Sequence, residues 1–432
     1  MTFSRSRSSV LSKKPSLDGR IHPDFQAVAD ALCAQLSACP GGAAVCVYHQ
    51  GECVVDLWGG AKDESGAPWC ADTMAPSFST TKGIASTLLH MMVDRGLLNY
   101  DDLVADYWPR FAQAGKGTIT VRHVLSHQSG LYHIRQMIDR ADRMLDWDHM
   151  VGAIEAARPV HPPGERTGYH GLTYGYLVGE IIQRVTGERF ADLVQKEIAE
   201  PLELDGLFIG TPESELHRAA QLLFPEGMKA LRNLPLGSIG RSVFSRCSSL
   251  LARVGIESDL ASIFDALAPR GIGSFDFGSP ETLRVAIPAG NGLFTARSLA
   301  KTYAALANGG EFGGVRLLSQ ETLERATEKA VKTRRHAVVP FDMQWRLGYH
   351  GVATTRGIPR AAFGHFGFGG SGAWADPERN MSLAMIVNSG IGTPFGDLRT
   401  ARISGAALTC VSARTGHKPG TLIQGLSSLG LA

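Results

Sequence analysis

Strand-like segments lie at both ends of this 432-residue chain, and helical segments lie between them. Near the N-terminus, alternating apolar residues predict strands at 43–48 and 53–58, joined by the turn His49-Gln50-Gly51. The strand pattern returns late in the chain, at 345–349, 361–366, 372–376 and 381–387. If the terminal strands form one sheet, the chain is a sheet lobe with a helical insertion. Periodicity alone does not decide that pairing.

Apolar residues at helical spacing predict five helices along the chain. They fall at about 22–36, 79–95, 172–185, 296–306 and 397–411. From 118 to about 200 the pattern is helical and rich in loops, whereas 206–290 is too weakly patterned to place any element.

Composition excludes several classes of protein. Hydrophobic residues make up 44% of the chain and charged residues 19%, which excludes intrinsic disorder. The 43 basic and 41 acidic residues leave a net charge of +2 and no basic stripe, so no nucleic-acid partner is predicted. No apolar run approaches the roughly 18–20 residues that span a membrane.

The N-terminal segment and the cysteines suggest a cytoplasmic protein. Residues 1–14 are rich in Ser and Arg without an apolar stretch, unlike a secretory signal, and 1–20 is predicted to be a flexible extension. The cysteine number is odd and no C-x-x-C pair occurs, so neither a zinc site nor a redox motif is indicated. Reduced thiols are expected at Cys33, Cys39, Cys46, Cys53, Cys70, Cys247 and Cys410.

The motif S-x-x-K occurs twice, at Ser79–Lys82 and at Ser298–Lys301. Ser79 begins a predicted helix, and residues three apart share a helix face, so the Lys82 amine can reach the Ser79 hydroxyl. A serine becomes nucleophilic when a neighbouring base takes its proton, and a lysine is such a base only if its pKa is lowered. The alternative is that Ser79 caps the helix and Lys82 is solvated. Ser298 is expected in the first turn of its own helix, with Lys301 in solvent.

Sequence motifs for cofactors and metals are either absent or lack the structural context that they need. Residues 367–372 match G-x-G-x-x-G, but a strand that ends at Pro377 follows them instead of a helix, which excludes a dinucleotide site. Neither H-E-x-x-H nor a P-loop occurs. No metal and no organic cofactor are expected.

Five segments, in this order, resemble the serine β-lactamase and DD-peptidase superfamily. They are 76–83 (PSFSTTKG), 120–131 (TVRHVLSHQSGL), 163–175 (PGERTGYHGLTYG), 291–297 (NGLFTAR) and 364–370 (GHFGFGG). The resemblance covers roughly 22–412. Within the superfamily it is strongest to the family VIII carboxylesterases, which are similar to class C β-lactamases.

The resemblance implies an α+β fold. Its antiparallel sheet is built from N- and C-terminal strands and flanked by helices, with a mostly helical inserted lobe. The expected division is a single catalytic module at 21–432. An α/β lobe would comprise about 21–100 and 290–432, and a helical lobe about 101–289.

The resemblance also implies the site residues. Ser79 would be the acyl-forming nucleophile, and Lys82 would share its proton and orient it. Tyr169 would accept the Ser79 proton, directly or through Lys82, as a phenolate favoured by the nearby cation, and return it to the leaving alcohol. The oxyanion hole would use the N–H groups of Ser79 and Phe368, with Gly367 letting the strand approach the substrate.

Two departures from the β-lactamase pattern point away from β-lactam substrates. Gly171 stands where the family has the asparagine of Tyr-x-Asn, so the side-chain amide is absent. His365 replaces the lysine that helps to hold a substrate carboxylate, and a mostly neutral imidazole would do so less well. His365 would contact the substrate or, alternatively, be a structural histidine bonded to backbone. The strand is apolar and aromatic at Phe363, Phe366 and Phe368.

The resemblance therefore implies a serine carboxylesterase that hydrolyses short- to medium-chain esters through an acyl-enzyme on Ser79. Its partner would be a small-molecule ester. The alternatives are a β-lactamase, a D-amino-acid peptidase or amidase, an acyltransferase, and a catalytically inactive relative. His123 and His127 match a structural segment of the family, and Tyr174 is expected to pack. The oligomeric state cannot be predicted from the sequence.

Overall fold

The computed structural model describes residues 15–224, 260–331, 336–339, 342–393 and 397–416. Within them lie twelve strands: β1 Leu17–Ile21, β2 Gly42–His49, β3 Glu52–Gly60, β4 Ala75–Pro76, β5 Leu207–Phe208, β6 Leu293–Phe294, β7 Glu311–Phe312, β8 Val315–Arg316, β9 His350–Gly351, β10 Phe363–Phe366, β11 Gly372–Asp376 and β12 Met381–Val387.

The α-helices of the described residues are mostly short and lie largely between β4 and β6 in sequence. They are α1 Gln26–Ala38, α2 Thr81–Asp94, α3 Val104–Tyr107, α4 Val121–Leu125, α5 Ile134–Met137, α6 Trp147–Ala156, α7 Thr173–Thr186, α8 Phe190–Val194, α9 Leu260–Leu267, α10 Pro280–Arg284, α11 Ala296–Ala307, α12 Gln320–Thr327 and α13 Leu398–Thr415. No helix of the described part has the length and apolar character that a membrane crossing needs.

One seven-stranded antiparallel sheet joins the two ends of the chain. Its order is β1-β3-β2-β12-β11-β10-β9. The junction is the pairing of β2 with β12, which runs from Met381 opposite His49 to Val387 opposite Ala43. This register confirms the α+β fold with a sheet built from N- and C-terminal strands.

Helices cover both faces of the sheet, which explains why β2 and β12 are buried along their whole length. Because side chains alternate along a strand, neighbouring residues of β2 enter different cores. Val45 and Val47 pack with α1 and α13. Cys46 and Tyr48 belong to the larger core, which includes α2, α7 and α11.

A small three-stranded sheet connects the helical segment to the start of α2. Its central strand β6 pairs with both β4 and β5, so that Phe294 lies opposite Ala75 and Leu207. This pairing fixes the chain just before α2 against the chain just before α11. The lobe boundaries near 100 and 290 stay predictions.

The strand predicted at 345–349 is wrong. Gly348 has a φ of +81° and the Arg346 N–H donates to the Tyr349 carbonyl oxygen, so this segment turns before it reaches β9. The Gly348 N–H instead donates to the Leu125 carbonyl oxygen, which ties the turn to α4. The alternating apolar residues at 345–349 therefore lie in a loop and not in a strand.

The predicted N-terminal extension also needs correction, because residues 17–20 are not part of a flexible tail. They belong to β1, which pairs with β3 from Leu17 opposite Gly59 to Ile21 opposite Val55. Residues 1–14, and 225–259 within the weakly patterned segment, lie outside the described residues.

The packing of α2 against α11 gives a stability prediction. A Cβ at Gly83 would lie 2.1 Å from the hydroxyl of Tyr303, which is fully buried. We expect Gly83→Ala to lower the free energy of unfolding by about 1–3 kcal/mol, as overpacking does. The matched control is Gly152→Ala in α6, where a Cβ meets nothing within 4 Å and a gain of about 0.5–1 kcal/mol is expected.

Denaturant unfolding of both variants measures this difference. Adding Tyr303→Phe to Gly83→Ala removes the clashing oxygen and should restore part of the loss. Equal stability of the two single variants would contradict the packing described here.

Candidate active site

A strained turn presents Ser79 at the start of α2. The 3-10 turn Phe78–Thr80 leads directly into the helix, and Phe78 has a φ of +45°. Such a conformation costs a non-glycine residue about 1–3 kcal/mol and persists where the surroundings enforce it. The side chain of Ser79 is 8% exposed.

Three hydrogen bonds hold this turn, two of them to Gly292 and one within the turn itself. The Ser77 N–H donates to the Gly292 carbonyl oxygen at 2.8 Å. The Thr81 hydroxyl donates to the Phe78 carbonyl oxygen at 2.5 Å and accepts the Gly292 N–H at 2.9 Å. Gly292, which follows the helical segment in the chain, therefore holds the residues on both sides of the strained Phe78 in place.

Lys82 is fully buried, and its amine contacts three oxygens. Nζ lies 2.9 Å from Ser79 Oγ, 2.7 Å from the Gly171 carbonyl oxygen and 2.9 Å from the Ala289 carbonyl oxygen. Burial lowers the pKa of Lys82 well below its usual value, because the charged ammonium loses its hydration.

Burial thus shifts Lys82 towards the neutral amine, and the contacts of a neutral amine at this position would suit a base. A neutral amine has two N–H groups and one lone pair. Carbonyl oxygens can only accept, so the Gly171 and Ala289 carbonyls take the two N–H groups. The lone pair of Lys82 is then left for the hydroxyl proton of Ser79.

Tyr169 contacts the same oxygen from another side. Its hydroxyl donates to Ser79 Oγ at 2.7 Å, and its ring stacks on Trp345 at 5.7 Å between centroids. Burial raises the pKa of Tyr169 above its usual value, although the hydrogen bond to Ser79 works in the opposite direction. Burial thus opposes both the phenolate and the cationic Lys82 that the resemblance implies, and the protonation of this pair stays a prediction.

The backbone of β10 and the following turn completes the site. A Cβ at Gly367 would lie 2.2 Å from the Ser77 carbonyl oxygen and 3.1 Å from the Ser79 nitrogen, so only glycine fits there. Among the described residues, no acceptor is found for the N–H of Ser79 or of Phe368. Backbone N–H groups without an acceptor are the kind of donor that an oxyanion hole requires.

An ion pair behind this turn was missed by sequence reasoning. The Arg399 guanidinium donates to the Gly369 carbonyl oxygen at 2.7 Å and is held by Asp397 at the start of α13. The Gly369 backbone has a φ of +88°. No motif in the sequence marks Arg399, because Gly369 lies 30 residues away and becomes its neighbour only in the folded chain.

His365 lies buried in β10 as a neutral imidazole. Nδ1 lies 3.1 Å from the Phe366 carbonyl oxygen and must donate its proton to it, the contact expected of a structural histidine. Nε2 has no hydrogen-bond partner among the described residues. Burial, together with the nearby His350 and Lys82, holds the pKa of His365 well below its usual value.

The neighbourhood of Gly171 explains the missing asparagine. A Cβ at this position would lie 2.3 Å from Leu267 Cδ2 and 3.2 Å from the Ala266 carbonyl oxygen. The end of α9 thus occupies the space that a longer side chain would need. Gly171 contributes its backbone carbonyl to Lys82 instead.

The remaining candidates take structural positions. The His123 N–H donates to Thr120 Oγ1 and His123 Nδ1 accepts the Thr120 N–H, forming a capping box at α4. The hydroxyls of Tyr174 and Ser86 lie 2.7 Å apart. Ser298 lies near the start of α11, and its hydroxyl donates to a carboxylate oxygen of Asp205. Over the described part of the chain, no cluster of three or more His, Cys, Asp or Glu side chains could bind a metal ion.

Three half-buried aromatic rings flank the turn that carries Ser79. The Phe78 ring centroid lies 5.2 Å from that of Phe277 and 5.4 Å from that of Phe368. The surface beside the nucleophile is therefore apolar.

Comparison with known proteins identifies the family of the chain. The family model "Beta-lactamase" matches residues 29–408. The "Esterase/beta-lactamase LipL" of Mycobacterium tuberculosis is 38% identical over 352 residues, which cover 81% of this chain and 77% of that protein.

Two solved structures are similar over 91% of this chain and 100% of their own. One is a penicillin-binding protein homologue from Caulobacter crescentus, with 36% identity and a TM-score of 0.78. The other is a family VIII carboxylesterase, with 31% identity and a TM-score of 0.76. The chain therefore belongs to the β-lactamase family, within the serine β-lactamase and DD-peptidase superfamily.

Proposed function

We propose that this serine hydrolase is a carboxylesterase that cleaves short- to medium-chain esters through an acyl-enzyme on Ser79. One observation carries the proposal: Ser79 Oγ is contacted by both Lys82 Nζ and the Tyr169 hydroxyl, at 2.9 Å and 2.7 Å, in a buried site. The names of two relatives, an esterase/β-lactamase and a family VIII carboxylesterase, support ester chemistry.

The proposed acylation begins with neutral Lys82. Its lone pair takes the Ser79 proton as Oγ attacks the ester carbonyl carbon. The negative charge that develops on the carbonyl oxygen is bound by the N–H groups of Ser79 and Phe368. Ser79 thereby becomes the nucleophile without a histidine or an acidic partner.

Tyr169 is assigned the role of proton donor. Its neutral hydroxyl gives a proton to the leaving alkoxy oxygen and recovers one from the Lys82 ammonium, so the alcohol departs uncharged. In deacylation a water molecule takes the place of the alcohol and loses its proton to the same pair. The resulting hydroxide attacks the acyl carbon and the bond from that carbon to Ser79 Oγ breaks. Oγ takes back the proton from the pair, which regenerates Ser79 and releases the carboxylic acid.

The surroundings favour an uncharged substrate. His365 is neutral and Gly171 has no side chain, so neither offers a charge or an amide to a β-lactam carboxylate. The rings of Phe78, Phe277 and Phe368 present apolar surface beside the nucleophile. An acyl chain of a few carbons can bury itself there, which is worth about 0.8 kcal/mol for each methylene.

We expect Ser79→Ala to reduce hydrolysis of p-nitrophenyl butyrate by about 10⁴-fold or more, because the proposed acyl bond forms on the Ser79 oxygen. A fluorophosphonate should label the wild-type protein at Ser79, and the variant should not be labelled. Nitrocefin, measured in parallel, should be hydrolysed more slowly than the ester. Faster turnover of nitrocefin would make β-lactam hydrolysis the function, and no labelling would exclude every serine mechanism.

The lowered pKa of Lys82 gives a pH prediction. The amine is the active base above its pKa in the folded protein and becomes protonated below it. Its three N–H groups are then all donated, one of them to Ser79 Oγ, and kcat/KM should fall as the pH falls. The measurement is kcat/KM for p-nitrophenyl butyrate from pH 4 to 9.

The Tyr169→Phe variant distinguishes the proposed role of Tyr169 as proton donor from that of Lys82 as base. We expect its kcat to be about 10²–10⁴-fold lower, as for loss of a proton donor, with the acid limb of the profile retained. Loss of that limb in Tyr169→Phe would instead identify Tyr169 as the titrating base.

The aromatic surface predicts chain-length selectivity. Phe277→Ala should lower kcat/KM for p-nitrophenyl hexanoate roughly 10-fold, and that for the acetate much less, because only the longer acyl chain reaches the ring. The matched control is Phe312→Ala, whose ring packs on Tyr48 in another part of the fold. Equal losses for both esters would show that Phe277 does not contact the acyl chain.

A further inference from the structure

Two thiols meet on neighbouring strands of the main sheet. Cys46 lies in β2 and Cys53 in β3, and their sulfur atoms are 3.8 Å apart. Cys53 is paired with Tyr48, and the register shifts between Val47 and Tyr48. Cys46 and Tyr48 are two residues apart on one strand face, so the bulge brings the two sulfurs together diagonally on that face.

The two thiols have different surroundings. Cys46 is fully buried, whereas Cys53 is half-buried near the edge strand β1, which carries Arg20. As a thiol, Cys53 also has the Val55 carbonyl oxygen at 3.6 Å as an acceptor. The charged groups around the pair are Arg20 from β1, Asp56 from β3 and Arg297 from α11.

These surroundings shift the pKa values of the Cys46 and Cys53 thiols in opposite directions. A hydrogen bond from the Cys46 thiol, assisted by the Arg20 guanidinium, lowers the pKa of Cys53 to about 7, although burial and Asp56 oppose the shift. Burial raises the pKa of Cys46 well above its usual value. A thiolate is the reactive form of cysteine, so Cys53 is suited to attack and Cys46 to act second.

We propose that Cys46 and Cys53 form a reversible thiol–disulfide site that is oxidised by hydrogen peroxide. The Cys53 thiolate attacks one peroxide oxygen, the O–O bond breaks, and hydroxide leaves, giving a sulfenic acid on Cys53. The Cys46 sulfur then attacks the Cys53 sulfur, the S–O bond breaks, and the second hydroxide leaves. With the protons of the two thiols, both hydroxides become water, so two thiols and one peroxide yield one disulfide and two waters.

The sequence does not indicate this site because the cysteines are separated by six residues instead of two. Their proximity depends on the hairpin and its bulge. The inference does not rest on the proposed esterase activity, since neither sulfur belongs to the site around Ser79.

The test is peptide mapping of the full-length protein. The reduced protein is treated with equimolar hydrogen peroxide at pH 7, trapped with N-ethylmaleimide, and digested without reductant. We expect a linked peptide containing Cys46 and Cys53, lighter by two hydrogen atoms, that dithiothreitol separates again. Cys70, which is exposed, should remain largely alkylated and serves as the internal reference.

Single variants assign the two steps. In Cys46→Ser, Cys53 should stop at the sulfenic acid, which dimedone traps. In Cys53→Ser, oxidation of Cys46 should be at least 10-fold slower, whereas Cys70→Ser should leave the linked peptide unchanged. Oxidation of Cys70 without a Cys46–Cys53 link in the wild-type protein would overturn the proposal. Because this measurement uses the wild-type protein, it tests the proposal even if a serine variant fails to fold.

Discussion

Burial of the Lys82 amine is the constraint on which the site depends. A lysine in water is charged and cannot accept a proton, whereas burial without hydration shifts the pKa of Lys82 downward and so towards its neutral form. The carbonyl oxygens of Gly171 and Ala289 come from segments far from α2 in sequence. The helical insertion therefore supplies two of the three oxygens that contact the Lys82 amine.

The main sheet supplies the other part of the site, which is strand β10. Pairing of β2 with β12 brings the C-terminal strands beside the N-terminal part of the chain, and β10 then lies against the turn that carries Ser79. Contact is close enough that Gly367 cannot carry a side chain. Both ends of the chain must fold together before β10 and the turn that carries Ser79 are neighbours, so the site is a property of the whole fold.

Much of this arrangement could be predicted because local signals and family resemblance agreed. The strands at 372–376 and 381–387 were placed correctly, since buried apolar runs bounded by turns are strong signals. Ser79 and Lys82 could be paired because three-residue spacing on a helix is local geometry. The meeting of Tyr169 with Ser79 required the family resemblance, because the contact joins residues that local spacing cannot relate.

What could not be predicted depends on the environment that folding creates. Residue types suggested a phenolate at Tyr169 beside a cationic Lys82, but the sequence does not reveal that both groups lose their water together. Desolvation acts on each charged form separately, raising the pKa of the phenol and lowering that of the amine. Burial therefore shifts the pair towards a neutral phenol and a neutral amine, which are the forms that the proposed mechanism uses.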